Sequence, residues 1–199
     1  MRKNIAVVIL AAGLSRRMGT PKMLLPWGYT TVLGQVVSTF SQAGVGEIVV
    51  VTGGYREAVE AEVGNLGGQY HVQSIHNPNF ESGEMLSSLQ VGLTVLDKGV
   101  DATLVGLGDQ PQLSLDATLK VIQAFEISSA SLVVPSHNMR RGHPWLVQCK
   151  LWSQLLALRA PATMRDVLSA HNSDIQYVET DSTILKDLDT PQDYEIEKP

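Results

Sequence analysis

Hydrophobic residues follow two patterns along this chain. Short continuous runs rich in β-branched residues, such as Ala6-Val7-Val8-Ile9-Leu10 and Ile48-Val49-Val50-Val51, alternate with longer stretches whose apolar positions recur every three or four residues. The runs predict strands over 5–10, 47–52, 72–76, 102–107, 132–135 and 175–178. Their lack of polar alternation predicts burial on both faces. The longer stretches predict helices over 31–43, 56–63, 85–96 and 115–126, the third carrying an apolar stripe of Met85, Leu86, Leu89, Leu93 and Leu96. Ser114 followed by Asp116 marks a helix start, and Gly44 and Gly64 mark stops. Strands alternating with helices imply right-handed crossovers. The expected fold is α/β, a three-layer sandwich with a mainly parallel, Rossmann-like sheet covered on both faces.

The rhythm changes after Pro135. Positions 136–142 are polar and basic, then 143–148 predicts a strand and 150–158 a helix. This part is expected to supply a small antiparallel insertion and, over about 136–185, the far wall of a cleft. Without a Gly-, Ser- or Pro-rich linker, a repeat or a charge block, residues 1–199 are expected to form a single domain.

Composition narrows the function classes. With 44% hydrophobic and 18% charged residues the chain is neither disordered nor of low complexity. A net charge of −5 offers no surface for nucleic acid or an anionic membrane. The apolar run 5–14 is about half the length a bilayer crossing needs, and no secretory signal precedes it, so a cytoplasmic protein is expected. Cys149, the single cysteine, excludes an internal disulfide or a cysteine-based zinc site and is expected to be a buried small apolar residue.

The chemistry concentrates in three segments. Ala11-Ala12-Gly13-Leu14-Ser15-Arg16-Arg17-Met18-Gly19-Thr20-Pro21-Lys22 follows the first buried strand, so it leaves the sheet at the carboxyl edge where open α/β sheets bind ligands. Its small residues admit a ligand to the backbone, Gly13 and Gly19 permit positive φ, and successive N–H groups can cradle phosphate oxygens. Arg16, Arg17 and Lys22 place three cations within seven residues, which calls for an anionic partner. A turn with solvated basic residues would explain the glycines alone, but not this combination. The loop is neither a Walker A motif, since five residues separate Gly13 from Gly19, nor a dinucleotide fingerprint, since Gly13-Leu14-Ser15 lacks the second glycine.

Gly108-Asp109-Gln110-Pro111 ends another predicted strand. Its carboxylate suits a hard divalent cation shared with substrate phosphates, or else a cap for the helix near Ser114. In Asp187-Leu188-Asp189-Thr190-Pro191 the two carboxylates alternate, so an extended backbone turns both toward a common metal. A helix cap and a solvated acidic tail would account for that stretch by itself, with Thr190 before Pro191 as a helix start. The five histidines include no i,i+4 pair, and His71 and His76 are expected at strand ends. No Gly-x-Ser-x-Gly elbow is present. Trp145, Trp152 and Tyr177 are expected in the core or an interface.

The first segment closely resembles the Leu-Ala-Ala-Gly-x-Ser-x-Arg-Met-Gly-x-x-Lys signature of the molybdenum cofactor nucleotidyltransferases. The similarity extends to Leu86-Ser87-Ser88-Leu89-Gln90-Val91-Gly92-Leu93, Gly108-Asp109-Gln110-Pro111, Arg141-Gly142-His143-Pro144 and Asp187-Leu188-Asp189-Thr190-Pro191-Gln192-Asp193. The first motif is shared with enzymes that make sugar nucleotides; the ordered set is far more specific. Pro26-Trp27-Gly28-Tyr29-Thr30-Thr31 departs from the family pattern after the loop.

The resemblance implies a nucleotidyltransferase sheet and Mg²⁺-dependent transfer of CMP from CTP to molybdopterin or its molybdenum-loaded form, with pyrophosphate leaving. It implies that Leu10, Ala11, Ala12 and Gly13 line nucleobase and ribose, together with Ser15, and that Ser87 and Ser88 close the nucleotide pocket. Arg16 and Arg17 would hold the β- and γ-phosphates and Lys22 the α-phosphate. Asp109, with Asp187 or Asp189, would ligate Mg²⁺, and His143 and Pro144 would lie on the acceptor side. Alanine at position 12, where guanylyltransferase relatives tend to carry glycine, points to cytidine. The implied partners are CTP, a molybdopterin-like phosphorylated acceptor, and a molybdoenzyme or its maturation chaperone. An acceptor phosphate is already ionised at neutral pH, which agrees with cations and carboxylates but no Ser–His or His–Asp pair. Two alternatives stay open: a guanylyltransferase or sugar-phosphate nucleotidyltransferase of the same fold, and a cofactor-binding or chaperone module without turnover.

Overall fold

The computed structural model describes residues 3–82, 84–128, 130–159 and 161–199. Ten strands and seven helices are described. The strands are β1 (Ile5–Ala11), β2 (Pro26–Trp27), β3 (Thr30–Thr31), β4 (Glu47–Thr52), β5 (Val72–His76), β6 (Ala102–Leu107), β7 (Leu132–His137), β8 (Arg140–Arg141), β9 (Trp145–Gln148) and β10 (Ile175–Glu179). The helices are α1 (Val32–Gln42), α2 (Arg56–Leu66), α3 (Glu84–Leu93), α4 (Leu115–Ile127), α5 (Trp152–Ala157), α6 (Met164–Ala170) and α7 (Pro191–Glu197).

The main sheet runs β10-β7-β9-β6-β1-β4-β5, with β8 paired to β7. Its pairs are parallel except where β9 lies antiparallel between β6 and β7, and where β8 folds back on β7. This is the expected mainly parallel α/β sheet with a small antiparallel insertion. The strand alternation of β1 divides the core. Ile5, Val7, Ile9 and Ala11 pack with α1, α2 and α4 on one face, while Ala6, Val8 and Leu10 pack with α3, α5 and α6 on the other. Both faces are therefore dry, as the unbroken apolar runs require.

Helix starts follow the capping residues: the Thr31 hydroxyl accepts from the Gly34 N–H and that of Ser114 from the Ala117 N–H. Gly44, at φ +81°, ends α1 as expected. Gly64 does not end α2, which continues to Leu66 and closes when the Gly67 N–H bonds to the Val63 carbonyl. Helix α3 stops at Leu93, short of Leu96, because the Thr94 N–H and hydroxyl both turn back to the Val91 carbonyl. Strand β9 begins at Trp145 rather than 143, since Pro144 has no N–H to join a ladder. Cys149 is exposed, not buried: the chain leaves the sheet there in a 3₁₀ turn, its N–H donating to the Asp101 carbonyl and its carbonyl accepting from the Trp152 N–H.

The chain passes from β1 outward to β4 and β5, then returns to β6 on the other side of β1. The carboxyl ends of β1 and β6 therefore flank the point where strand order reverses, and a crevice opens there.

Candidate active site

The loop after β1 leaves the sheet at this crevice. The carbonyl of Ser15 accepts from the N–H groups of Met18 and Gly19. The turn places Ser15 at φ +46° and Gly19 at φ +68°. Gly13 is not in the left-handed region; a Cβ added there would meet nothing within 4 Å, so its lack of a side chain keeps the backbone open to the crevice.

A cavity of about 420 Å³ lies over the loop. Of the residues singled out from the sequence, Leu10, Ala12, Gly13, Ser15, Arg16, Arg17, Lys22, Ser88, Asp109 and Asp189 line it. Ala11 does not: its side chain points to the opposite face of β1, in the core beside Met23. Ser87 lies just behind the wall, where its hydroxyl accepts from Asn77 Nδ2 at 2.9 Å. The same amide donates to Ser88 at 3.0 Å, so buried Asn77 fixes the start of α3 against the end of β5. Met23, Phe80, Met85 and Leu107 complete the wall. Sequence reasoning missed them because Met85 sits on a stripe that reads as core, and Phe80 is in a loop without a motif.

The charges converge from three segments. Lys22 Nζ donates to Asp109 Oδ2 at 2.5 Å and lies 3.3 Å from Asp189 Oδ1, while Arg17 Nη1 reaches Asp189 Oδ2 at 3.2 Å. Arg16 is exposed and makes no ion pair among the described residues. Burial opposes the Lys22 ammonium, but Asp109 and Asp189 outweigh it and hold its pKa above the usual lysine value. The C-terminal segment is docked by the Leu188 N–H, which donates to the Asp109 carbonyl at 3.1 Å. Gln110 Nε2 donates to Asp187 Oδ1 at 2.7 Å and to the Ile184 carbonyl. Asp189 does not cap α7; Thr190 does, in a capping box with Asp193.

Asp187 has its pKa raised by burial and then by the Asp109 charge, which is the setting a divalent cation relieves. No three His, Cys, Asp or Glu side chains among the described residues are grouped to hold a metal by themselves. Asp109, with Asp187 or Asp189, would offer two carboxylates, a donor set that fits Mg²⁺, which is usually held by one or two carboxylates plus substrate phosphates.

A second cavity, about 1010 Å³, adjoins the first through Met85, which lines both. His143, Trp145, Arg141 and Arg165 are in its wall. Pro144 is buried behind them, and the His143 N–H bonds to the same Ile184 carbonyl that accepts from Gln110. Tyr177, expected in the core or an interface, is partly exposed with Arg141 over its ring at 5.2 Å.

A switch-point crevice with a cationic loop on one lip and carboxylates on the other defines an α/β nucleotidyltransferase. Residues 7–175 match the MobA-like NTP transferase domain, and the chain belongs to that family. Molybdenum cofactor cytidylyltransferase of Escherichia coli K12 is 30% identical over 190 residues, 96% of this chain and 93% of the relative. Molybdenum cofactor guanylyltransferase of Mesorhizobium japonicum is 31% identical, covering 75% of this chain and 71% of its own. Among solved structures, Rv0371c of Mycobacterium tuberculosis H37Rv superposes with a TM-score of 0.82 at 26% identity over 98% of both chains. Its manganese complex gives 0.78 at 25% identity, again over 98% of both.

Proposed function

We propose that this protein transfers CMP from CTP to the phosphate of molybdopterin or its molybdenum-loaded form, in a Mg²⁺-dependent reaction that releases pyrophosphate. The observation that carries the reading is the meeting of Arg16, Arg17 and Lys22 with Asp109 and Asp189 in one crevice, beside a second cavity that shares Met85 with it. Leu10, Ala12, Gly13, Ser15 and Ser88 hold base and ribose. Arg16 and Arg17 take the β- and γ-phosphates and Lys22 the α-phosphate, Arg17 and Lys22 exchanging their pairs with Asp189 and Asp109 for phosphate oxygens. Asp109 and Asp187 hold the metal, which when bound withdraws charge from the triphosphate and offsets that of the departing pyrophosphate. The acceptor phosphate attacks in line from the second cavity and needs no general base. Catalysis is positioning and charge neutralisation. The product passes in the cytoplasm to a molybdoenzyme or its maturation chaperone.

The choice of CTP is supported by alanine at position 12 in the crevice wall, where the resemblance implies glycine in guanylyltransferases, and by the similarity to the Escherichia coli cytidylyltransferase. Thermal shifts with Mg²⁺ and each of CTP, GTP, ATP and UTP test it. Ligand at about 100 times Kd adds roughly 2.7 kcal/mol, so CTP should give the largest shift at equal concentration. A larger shift with GTP would overturn the choice in favour of a guanylyltransferase.

A further inference from the structure

Asp187 and Asp189 lie on either side of Leu188, whose side chain is fully buried. Leu188 joins Trp27 and Val32 in a small apolar cluster apart from the two faces of the main sheet, with Leu25 and Tyr194 packed against it. The cluster involves the stretch that follows Lys22 directly, because the chain runs from the Lys22–Leu24 turn into β2. Two anchors hold the acidic segment there. One is the Leu188 N–H on the Asp109 carbonyl. The other is Tyr194, whose hydroxyl donates to the Pro26 carbonyl at 2.6 Å while its ring meets that of Trp27 with centroids 6.3 Å apart.

Helix α7 has no buried residue, so its place depends on polar links and on the Tyr194 ring. Asp193 Oδ2 accepts from the backbone N–H groups of Asp189 and Thr190, at 3.2 and 2.8 Å, which makes the first turn of α7 and the Asp189 backbone one unit. Lys186 Nζ closes that unit on itself through Glu197, at the far end of the helix. The Tyr194 hydroxyl then ties it to β2.

We infer that Tyr194 is a positioning residue of the site: its bond to Pro26 fixes α7, and through α7 the carboxylates of Asp187 and Asp189, against the segment that carries Lys22. The inference rests on the reading that these carboxylates serve a divalent cation bound with the nucleotide. Asp189 faces Arg17 and Lys22 from an exposed position, and exposed ion pairs fix a segment only weakly. A triphosphate that draws those cations to itself removes even that hold. The hydroxyl–carbonyl bond involves no charge and no phosphate ligand, so it survives the exchange and keeps the acidic segment at the crevice.

The test compares Tyr194→Phe, Tyr194→Ala and Glu195→Ala with the wild type. Tyr194→Phe keeps the ring beside Trp27 and loses only the hydroxyl; Glu195→Ala opens an exposed pair with Lys198 on the same helix and is the control. In the ligand-free protein, solvent exchange of the Leu188 amide, read by NMR, should quicken about fivefold in Tyr194→Phe, the scale of one neutral hydrogen bond. It should quicken further in Tyr194→Ala and stay unchanged in Glu195→Ala. In pyrophosphate release with CTP and molybdopterin, the Mg²⁺ concentration for half-maximal rate should rise in the same order, with kcat at saturating Mg²⁺ and KM for molybdopterin within twofold. Binding of Mn²⁺·CTP without acceptor, read by electron spin resonance, should weaken in parallel. A wild type that shows this order in amide exchange and Mn²⁺·CTP binding, yet releases no pyrophosphate, would refute the proposed reaction and support the positioning role. Unchanged Leu188 exchange and Mn²⁺·CTP binding in Tyr194→Phe would overturn the inference. So would a rate lowered equally at every Mg²⁺ concentration, since that is the signature of a residue that only supports folding.

Discussion

Between Asp109 and Asp189, the Lys22 ammonium is nearly enclosed, its side chain 10% exposed. Lys22→Ala should lower kcat by about 10²–10³, the usual effect of losing one preorganised charge contact, and should destabilise the fold by up to about 3 kcal/mol because Asp109, its side chain 16% exposed, is left without its lysine. Pyrophosphate release and urea unfolding check the two parts, and turnover within about threefold of wild type would contradict the role. Asp187 is under the opposite stress. Its raised pKa means that folding disfavours its charge, so Asp187→Asn should raise the thermal midpoint of the metal-free protein while impairing Mg²⁺-dependent turnover. Calorimetry with and without Mg²⁺ decides this. His143 gives a pH signature. Its folded value of about 4 lies below the ordinary 6.5, so between those values the unfolded chain binds a proton the folded chain refuses. Stability is therefore lost as pH falls through that window, by roughly 3 kcal/mol at about 1.4 kcal/mol per pH unit. His143→Gln should flatten that part of the urea-unfolding profile; a profile parallel to wild type would contradict the assignment.

At the scale of elements, α3 matters most because it supplies Met85 and Ser88 to the crevice while packing on β1 and β4. Gly92 permits that approach: a Cβ there would fall 2.4 Å from Val8 Cγ1. Gly92→Ala should cost about 1–3 kcal/mol through overpacking and raise KM for the nucleotide as Ser88 shifts; unchanged unfolding and KM would show that α3 has slack. The long apolar runs and the stripe of α3 were legible because burial on two faces leaves no other pattern. Alternation in β1 also separates Ala11, in the core, from Leu10 and Ala12, in the crevice. The β2–β3 hairpin was not legible, since two-residue strands carry no period. Nor was α6, whose seven residues are too few for a decisive apolar stripe. Gly64 misled because a glycine inside an exposed helix face costs only about 1 kcal/mol and is tolerated.

For the whole molecule, the sequence made the loop Gly13–Lys22 and Asp109 legible as separate motifs, each at the end of a buried run. Their meeting depends on strand order, with β6 returning to lie parallel beside β1, and the Leu188 to Asp109 bond brings the C-terminal segment to the same crevice. Neither contact leaves a local pattern. The same long-range docking brings the Ile184 carbonyl to both Gln110 and His143, linking the metal side of the crevice to the second cavity. One measurement reaches the central claim most directly: steady-state pyrophosphate release by the intact protein with molybdopterin, using CTP or GTP, with and without Mg²⁺. Cytidylyl transfer predicts turnover that requires both Mg²⁺ and molybdopterin, with kcat/KM for CTP at least about tenfold above that for GTP, equivalent to about 1.4 kcal/mol of transition-state discrimination. Equal or greater kcat/KM for GTP, or no pyrophosphate with either nucleotide, would contradict it.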